Sequence, residues 1–208
     1  MGRVRGSVPR MEARRTTPVT AAALRYRGGV TLLSTDRLDL RLYEATDASS
    51  LERIYARPDV SRFLLDEPWN ADDAERHVRE RRMKTDLDGS TGALALVIEH
   101  QRTVVGDVQL WFTDRERRVA EIGWVLDPAH GGRGLASEAV SAVLRFAFDT
   151  AQVHRVTAQM DARNTASAQL AARVGMRSEA HFRQDWWSKG EWTDTLVFGM
   201  LATDLTTE

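Results

Sequence analysis

The sequence contains no cysteine. That excludes a disulfide framework, a thiolate zinc site and any mechanism built on a cysteine nucleophile. Histidine is sparse. The five present (His77, His100, His130, His154 and His181) are scattered, with none four residues from another, so a histidine-rich metal site is not expected. No apolar run approaches the roughly 18 residues that a membrane helix requires. The first 30 residues lack the apolar h-region of a secretory signal. Internal repeats and low-complexity segments are absent too. These absences lead to the expectation of a soluble, cytoplasmic protein, with no membrane partner and no metal.

Net charge is also nearly absent, at −1, but its distribution is uneven. Residues 1–30 hold seven arginines (Arg3, Arg5, Arg10, Arg14, Arg15, Arg25 and Arg27) against one acid, Glu12. With those eight set aside, 22 basic and 29 acidic side chains remain, a net of −7. An acidic body lacks the basic face of a nucleic-acid binder, so no nucleic-acid partner is expected. It suits a cationic ligand, such as a protonated amine, drawn in by long-range attraction. The arginine-rich start reads as a flexible extension, with Met11 as an alternative start. A transit peptide remains a second reading of it.

From residue 31 onward the chain reads as one domain, 31–208. Thr31–Tyr43 alternates like a half-buried strand in its second half. Helical patterns follow over Ala45–Ala56 and Ala71–Leu87, with Pro58, Pro68 and Trp69 in the loop between them. Strands are predicted over Ala93–Glu99, Thr103–Phe112 and Arg117–Leu126. A glycine cluster then leads into a helix over Ala136–Thr150, followed by a strand over Arg155–Met160 and a helix over Asn164–Val174. Strands over Ser178–Trp187 and Trp192–Leu201 flank a turn at Lys189-Gly190. This order implies an α/β fold with helices layered on a mixed sheet.

The segment from Glu121 to Ala139 carries the strongest chemical signal. It runs strand, proline–glycine turn, helix. Gly131, Gly132 and Gly134 allow several backbone N–H groups to converge, and the helix N-terminus adds free donors and its positive dipole end. Together these suit a phosphate. The turn lacks the Gly-Lys-Ser/Thr ending of a nucleoside-triphosphate loop and the third glycine of a dinucleotide fingerprint. A glycine turn that caps a helix and binds nothing is the bland alternative.

The strand, the Gly-Arg-Gly-Leu-Ala turn and the opening Ser137-Glu138-Ala139 resemble the acetyl-CoA loop of the GNAT family of N-acetyltransferases. The family pattern is Gln/Arg-x-x-Gly-x-Gly/Ala. Gly134 and Ala136 occupy its last two fixed positions, and Gly131 replaces the first, at the cost of a side-chain contact. A second element, Asn164-Thr-Ala-Ser167 followed by Gly175-Met176, resembles the family's Asn-x-x-Ser and Gly-Phe pair. Asn164 is equally readable as a helix N-cap, and Ser167 as an exposed helix residue. Thr35-Asp-Arg-Leu-Asp-Leu-Arg-Leu42, Ala120–Trp124 and Lys189–Asp194 are similar to the branch that acetylates ribosomal-protein N-termini. That branch also holds enzymes acting on small amines. The resemblance spans about residues 31–202.

The resemblance implies a mostly antiparallel central sheet flanked by helices, with acetyl-CoA as co-substrate and a protein N-terminus or small-molecule amine as acceptor. It assigns Glu121 as general base and Ser167 as the acid at the departing thiolate. Trp124, Val125 and Leu126 would hold the thioester and pantetheine by backbone groups. The loop Gly131, Gly132, Arg133, Gly134, Leu135, Ala136 and Ser137 would hold the phosphates, with Arg133 supplying charge, and Asn164 would lie along the pantetheine arm. Trp69 and the pair Trp186-Trp187 are candidates for the acceptor pocket, although large aromatics are more often core. Asp185, Glu191 and Asp194 could attract the amine or simply be solvated. A non-catalytic acyl-CoA-binding domain, a different acyl group such as succinyl, and a different phosphate ligand are the competing readings. Either a monomer or a homodimer is compatible with the sequence.

Overall fold

The structure, a computed structural model, describes residues 24–26 and 29–205. Among these residues ten strands form one sheet: β1 (Leu24–Tyr26), β2 (Gly29–Ser34), β3 (Leu38–Leu42), β4 (Thr85–Asp86), β5 (Ala93–His100), β6 (Thr103–Asp114), β7 (Val119–Leu126), β8 (Arg155–Asp161), β9 (Arg177–Ser188) and β10 (Glu191–Leu201). Five α-helices accompany them among the described residues: α1 (Ala48–Tyr55), α2 (Pro58–Ser61), α3 (Ala71–Arg81), α4 (Leu135–Arg145) and α5 (Thr165–Arg173). Spatial order is β1-β2-β3-β5-β6-β7-β8-β10-β9, with the two-residue β4 also paired to β5. All neighbours are antiparallel except β7 and β8, which run parallel.

The two faces of the sheet are built by strand alternation. Along β5, Leu94, Leu96 and Ile98 join one core, with Val140, Val143 and Leu144 of α4 and Leu170 of α5. Ala95 and Val97 join the other, with Leu51, Ile54 and Tyr55 of α1 and Val78 of α3. Helix boundaries follow local chemistry. The Asn70 side chain accepts from Asp73 N at 3.0 Å, and Asp73 accepts from Asn70 N at 3.3 Å, a reciprocal cap that starts α3. At the end of α5, Gly175 takes φ +93°, and the amides of Gly175 and Met176 turn back to the carbonyls of Ala172 and Ala171. This is the left-handed termination that glycine favours.

Several sequence expectations shift. The single strand over Thr31–Tyr43 is two strands, β2 and β3, folded back at Thr35, whose N–H bonds Leu38 O at 2.9 Å. The alternation detected only β3. Helix Ala71–Leu87 stops at Arg81, because the buried face Ala74, Val78, Arg81 ends there and Met83 is exposed. Pro58, expected in a loop, opens the four-residue α2 from its first-turn position, where its missing N–H costs nothing. The long helix to Thr150 is α4 followed by a wider π turn, Phe146–Thr150. Most of the arginine-rich extension lies outside the described residues. Leu24–Tyr26 does not, and its pairing with β2 begins the sheet before the expected boundary at residue 31.

Candidate active site

The parallel contact between β7 and β8 is brief. Val119, Ala120 and Glu121 pair with Arg155, Val156 and Thr157, and pairing stops there. Among the described residues, β7 from Ile122 onward keeps only its β6 partner, to Leu126 opposite Gly106. The sheet therefore splits beyond Glu121, and one edge of β7 is left without a strand neighbour. Gly106 permits this run, because a Cβ there would meet Val125 O at 2.2 Å.

The split opens into a cavity of about 730 Å³. One wall is β7, with Trp124, Val125 and Leu126; another is the glycine loop and the start of α4, with Gly131, Gly132, Gly134, Leu135, Ala136 and Ser137; the third is Asn164 and Ser167 at the start of α5. A smaller recess of about 70 Å³ runs between Trp124 and Gln159 into the split itself, again with Asn164 and Ser167. Phe63 and Leu64, just after α2, border both.

The loop geometry suits an anion. Gly132 and Gly134 have φ of +72° and +77°, a region that side chains other than glycine rarely enter. A Cβ on Gly132 would meet nothing within 4 Å, so that side of the loop is open. Gly134 is the N-cap of α4 and offers no side-chain acceptor. In contrast, α3 and α5 are capped by Asn70 and Asn164. The first-turn amides of α4 are thus left for a ligand. These features fit a pyrophosphate group with an extended arm lying along the open edge of β7.

The nominated residues do not all meet. Asn164 both lines the cavity and caps α5, its side-chain oxygen accepting from Ser167 N at 3.0 Å. The Ser167 hydroxyl has no protein partner among the described residues. Arg133 falls outside the lining: its side chain is exposed, and its carbonyl accepts from Arg37 Nη1 at 2.9 Å. Arg173 of α5, overlooked in the sequence, lines the cavity instead, with Nη1 at 3.4 Å from Ser137 Oγ. No residue spacing links α5 to the glycine loop, so only the fold reveals that cation.

Glu121 is also outside the cavity lining and is half-buried at the apex of the split. Burial raises its carboxyl above the ordinary range, and a hydrogen bond from Gln159 Nε2 at 3.0 Å opposes that rise. Gln159, which lines the recess, connects Glu121 to it. Trp69 is core, stacked between Tyr55 (centroids 3.8 Å apart) and His77 (4.3 Å). Trp186 and Trp187 are neither core nor cavity wall; both are about half exposed on β9. Asp194 receives His181 Nε2 at 2.7 Å, and Glu191 receives Arg163 at 2.7 Å. Among the described residues no cluster of three or more His, Asp or Glu side chains could hold a metal, and no helix is long and apolar enough to cross a membrane.

Residues 37–177, which hold the split, the loop and both flanking helices, match the acetyltransferase (GNAT) domain family. The chain belongs to that family. It is accordingly an acyltransferase, an N-acetyltransferase by kinship. An uncharacterised N-acetyltransferase p20 of Bacillus licheniformis is 28% identical over 172 residues, 83% of this chain and 97% of that protein. The ribosomal protein uS5-alanine N-acetyltransferase of Escherichia coli is 27% identical over 192 residues, 87% and 97% of the two chains. A spermidine N-acetyltransferase from Vibrio cholerae, solved with CoA and spermine, shares the fold with a TM-score of 0.70 at 20% identity, over 82% of this chain and 98% of that one. The GNAT protein described here therefore has a relative named for a protein acceptor and shares its fold with a protein named for a polyamine.

Proposed function

We propose that this GNAT protein transfers an acetyl group from acetyl-CoA directly to a primary amine, on a protein N-terminus or a small molecule. One observation carries the reading. The β7–β8 pairing ends at Glu121–Thr157, and the opening it creates meets the uncapped start of α4.

The three needs of the reaction each find a group. The amine must lose its proton, and Glu121, raised by burial and reachable through Gln159 and the recess, would accept it through water. The thioester carbonyl must be polarised, and the free edge of β7 around Trp124, Val125 and Leu126 supplies backbone N–H donors. The departing thiolate must gain a proton, and the uncommitted hydroxyl of Ser167 would give it. The loop from Gly131 to Gly134 and the amides of Leu135, Ala136 and Ser137 would hold the pyrophosphate. Arg173 would provide the cation once expected from Arg133. The carbon–nitrogen bond forms as the carbon–sulfur bond breaks, so no covalent enzyme intermediate is needed.

The test is turnover of acetyl-CoA by free-thiol release against peptides, polyamines and aminoglycosides, with succinyl-CoA in parallel. Release that depends on one amine class supports the reading and names the acceptor. CoA binding by calorimetry with no turnover on any amine would instead indicate a non-catalytic acyl-CoA-binding domain.

A further inference from the structure

Glu138 presents a puzzle. It is a carboxylate in the first turn of α4, next to the amides that would hold a pyrophosphate. An acid there stabilises an empty helix end but repels an incoming anion. Its surroundings answer the objection. The carboxylate takes four donors from the β2–β3 turn: Thr35 Oγ1 at 2.5 Å, Arg37 N at 3.0 Å, Arg37 Nε at 2.7 Å and Arg37 Nη2 at 2.5 Å. The remaining guanidinium nitrogen, Nη1, donates to Arg133 O within the glycine loop. A Cβ placed on Gly134 would lie 3.5 Å from Arg37 Nη2, so the guanidinium spans the loop and the helix start together. These hydrogen bonds outweigh the effect of burial and hold Glu138 below the ordinary carboxylate range, so it is ionised at neutral pH.

We infer that Arg37 is a positioning residue for CoA: it neutralises Glu138 and fixes the glycine loop, so that the loop can accept a pyrophosphate. The inference rests on the acetyl-CoA reading of the cavity. Arg37 is not among the residues that line the cavity, and three of its five N–H donors go to Glu138 and Arg133. Its side chain is 46% exposed, so the ion pair adds little to folding. The effect is expected on cofactor binding instead. Without Arg37, an uncompensated carboxylate lies one helical turn from the phosphate site, and affinity falls about tenfold.

Calorimetry with CoA on four full-length variants decides it, with thermal melts in parallel. Arg37→Ala should raise Kd about tenfold at an unchanged melting temperature, with KM for acetyl-CoA rising and kcat retained. Arg37→Lys, which keeps the charge, should bind within about threefold of wild type. Glu138→Gln alone should bind at least as well as wild type. The double variant Arg37→Ala/Glu138→Gln should recover most of the loss, because removing the acid removes the need for the base. Wild-type affinity in folded Arg37→Ala overturns the inference, as does a double variant no tighter than Arg37→Ala. If Arg37→Ala proves unstable, Arg37→Gln and Arg37→Gln/Glu138→Gln take the places of the alanine variants on the same criteria. Failure of wild type to bind CoA overturns the cofactor reading itself, a result distinct from either.

Discussion

The Gln159 side-chain amide donates to the Glu121 carboxylate at 3.0 Å, across the point where β7 and β8 part. This bond favours the ionised form of a carboxyl that burial pushes the other way. Gln159→Leu removes the donor, so the Glu121 pKa should rise further. A base works only when deprotonated, and the acid limb of the pH profile of kcat/KM should move to higher pH. The shift should be up to about one unit, since a hydrogen bond to a charged group is worth about 1.5 kcal/mol and one pKa unit about 1.4 kcal/mol. An unmoved limb would mean that Glu121 is not the group that titrates.

Glu121→Gln tests the same group from the stability side. A carboxyl raised in the folded state favours folding while it is protonated. That contribution is complete below the ordinary carboxylate value and is lost as pH rises through the raised native value. At pH 7 the wild type therefore carries a penalty that the glutamine variant lacks. Activity should fall by about 10²–10⁴-fold, while the variant melts no lower than wild type at pH 7 and the difference shrinks toward pH 4. A variant that melts clearly lower at pH 7 would identify Glu121 as a structural residue.

Gly134 separates backbone strain from ligand charge. At φ +77° any side chain is strained, by about 1–2 kcal/mol. Gly134→Ala should therefore lower the melting temperature and weaken CoA modestly. Gly134→Glu adds a negative charge to the loop that would hold the phosphates, and its affinity should be at least about tenfold lower than that of the alanine variant. Equal affinities in the two folded variants would remove the anion from this loop.

Much of this site was legible because backbone chemistry leaves local marks. The glycines at 132 and 134 mark left-handed backbone, and Asn164 followed by Ser167 marks a helix start beside the cleft. What escaped notice depends on tertiary contact. Gln159 is an ordinary polar residue on a strand until the parallel pairing with β7 sets it beside Glu121. Arg173 is an unremarkable last-turn cation until α5 docks beside α4. Arg37 and Glu138 are 101 residues apart, and no local pattern joins them. The same holds for the turn that divides β2 from β3, since alternation alone does not reveal where a hairpin folds.

The buried polar group beside the site escaped for that reason too. Asp107 on β6, opposite Val125, accepts from Arg81 Nη1 at 2.9 Å and from Tyr55 Oη at 2.6 Å. It is 1% exposed. It ties α1 and α3 to the sheet one strand away from the split. Asp107→Asn strips the charge partner from a buried guanidinium and should cost about 3–5 kcal/mol, read as a lower denaturation midpoint in urea. A loss below about 1 kcal/mol would show that Arg81 is solvated or re-paired.

Asn164 has two possible duties, and substitutions can separate them. Its side-chain oxygen caps α5 through Ser167 N. Aspartate caps as well as asparagine and suits the positive end of the helix dipole, so Asn164→Asp should keep the melting temperature. It lacks the side-chain N–H donors that could meet an amide-rich arm lying along β7. Loss of that contact should raise KM for acetyl-CoA several-fold, by the worth of about one hydrogen bond. Asn164→Ala removes both duties and should in addition cost about 1 kcal/mol of stability, a drop of roughly 2–4 °C for a chain of this size. Ser167→Ala leaves the cap intact, because the cap uses only the Ser167 backbone. Its effect should fall on kcat, and should shrink with a thioester whose leaving group is more acidic and needs less help from a proton. A wild-type KM in Asn164→Asp, with a wild-type kcat in Ser167→Ala, would reduce the start of α5 to a capped helix bordering the cleft.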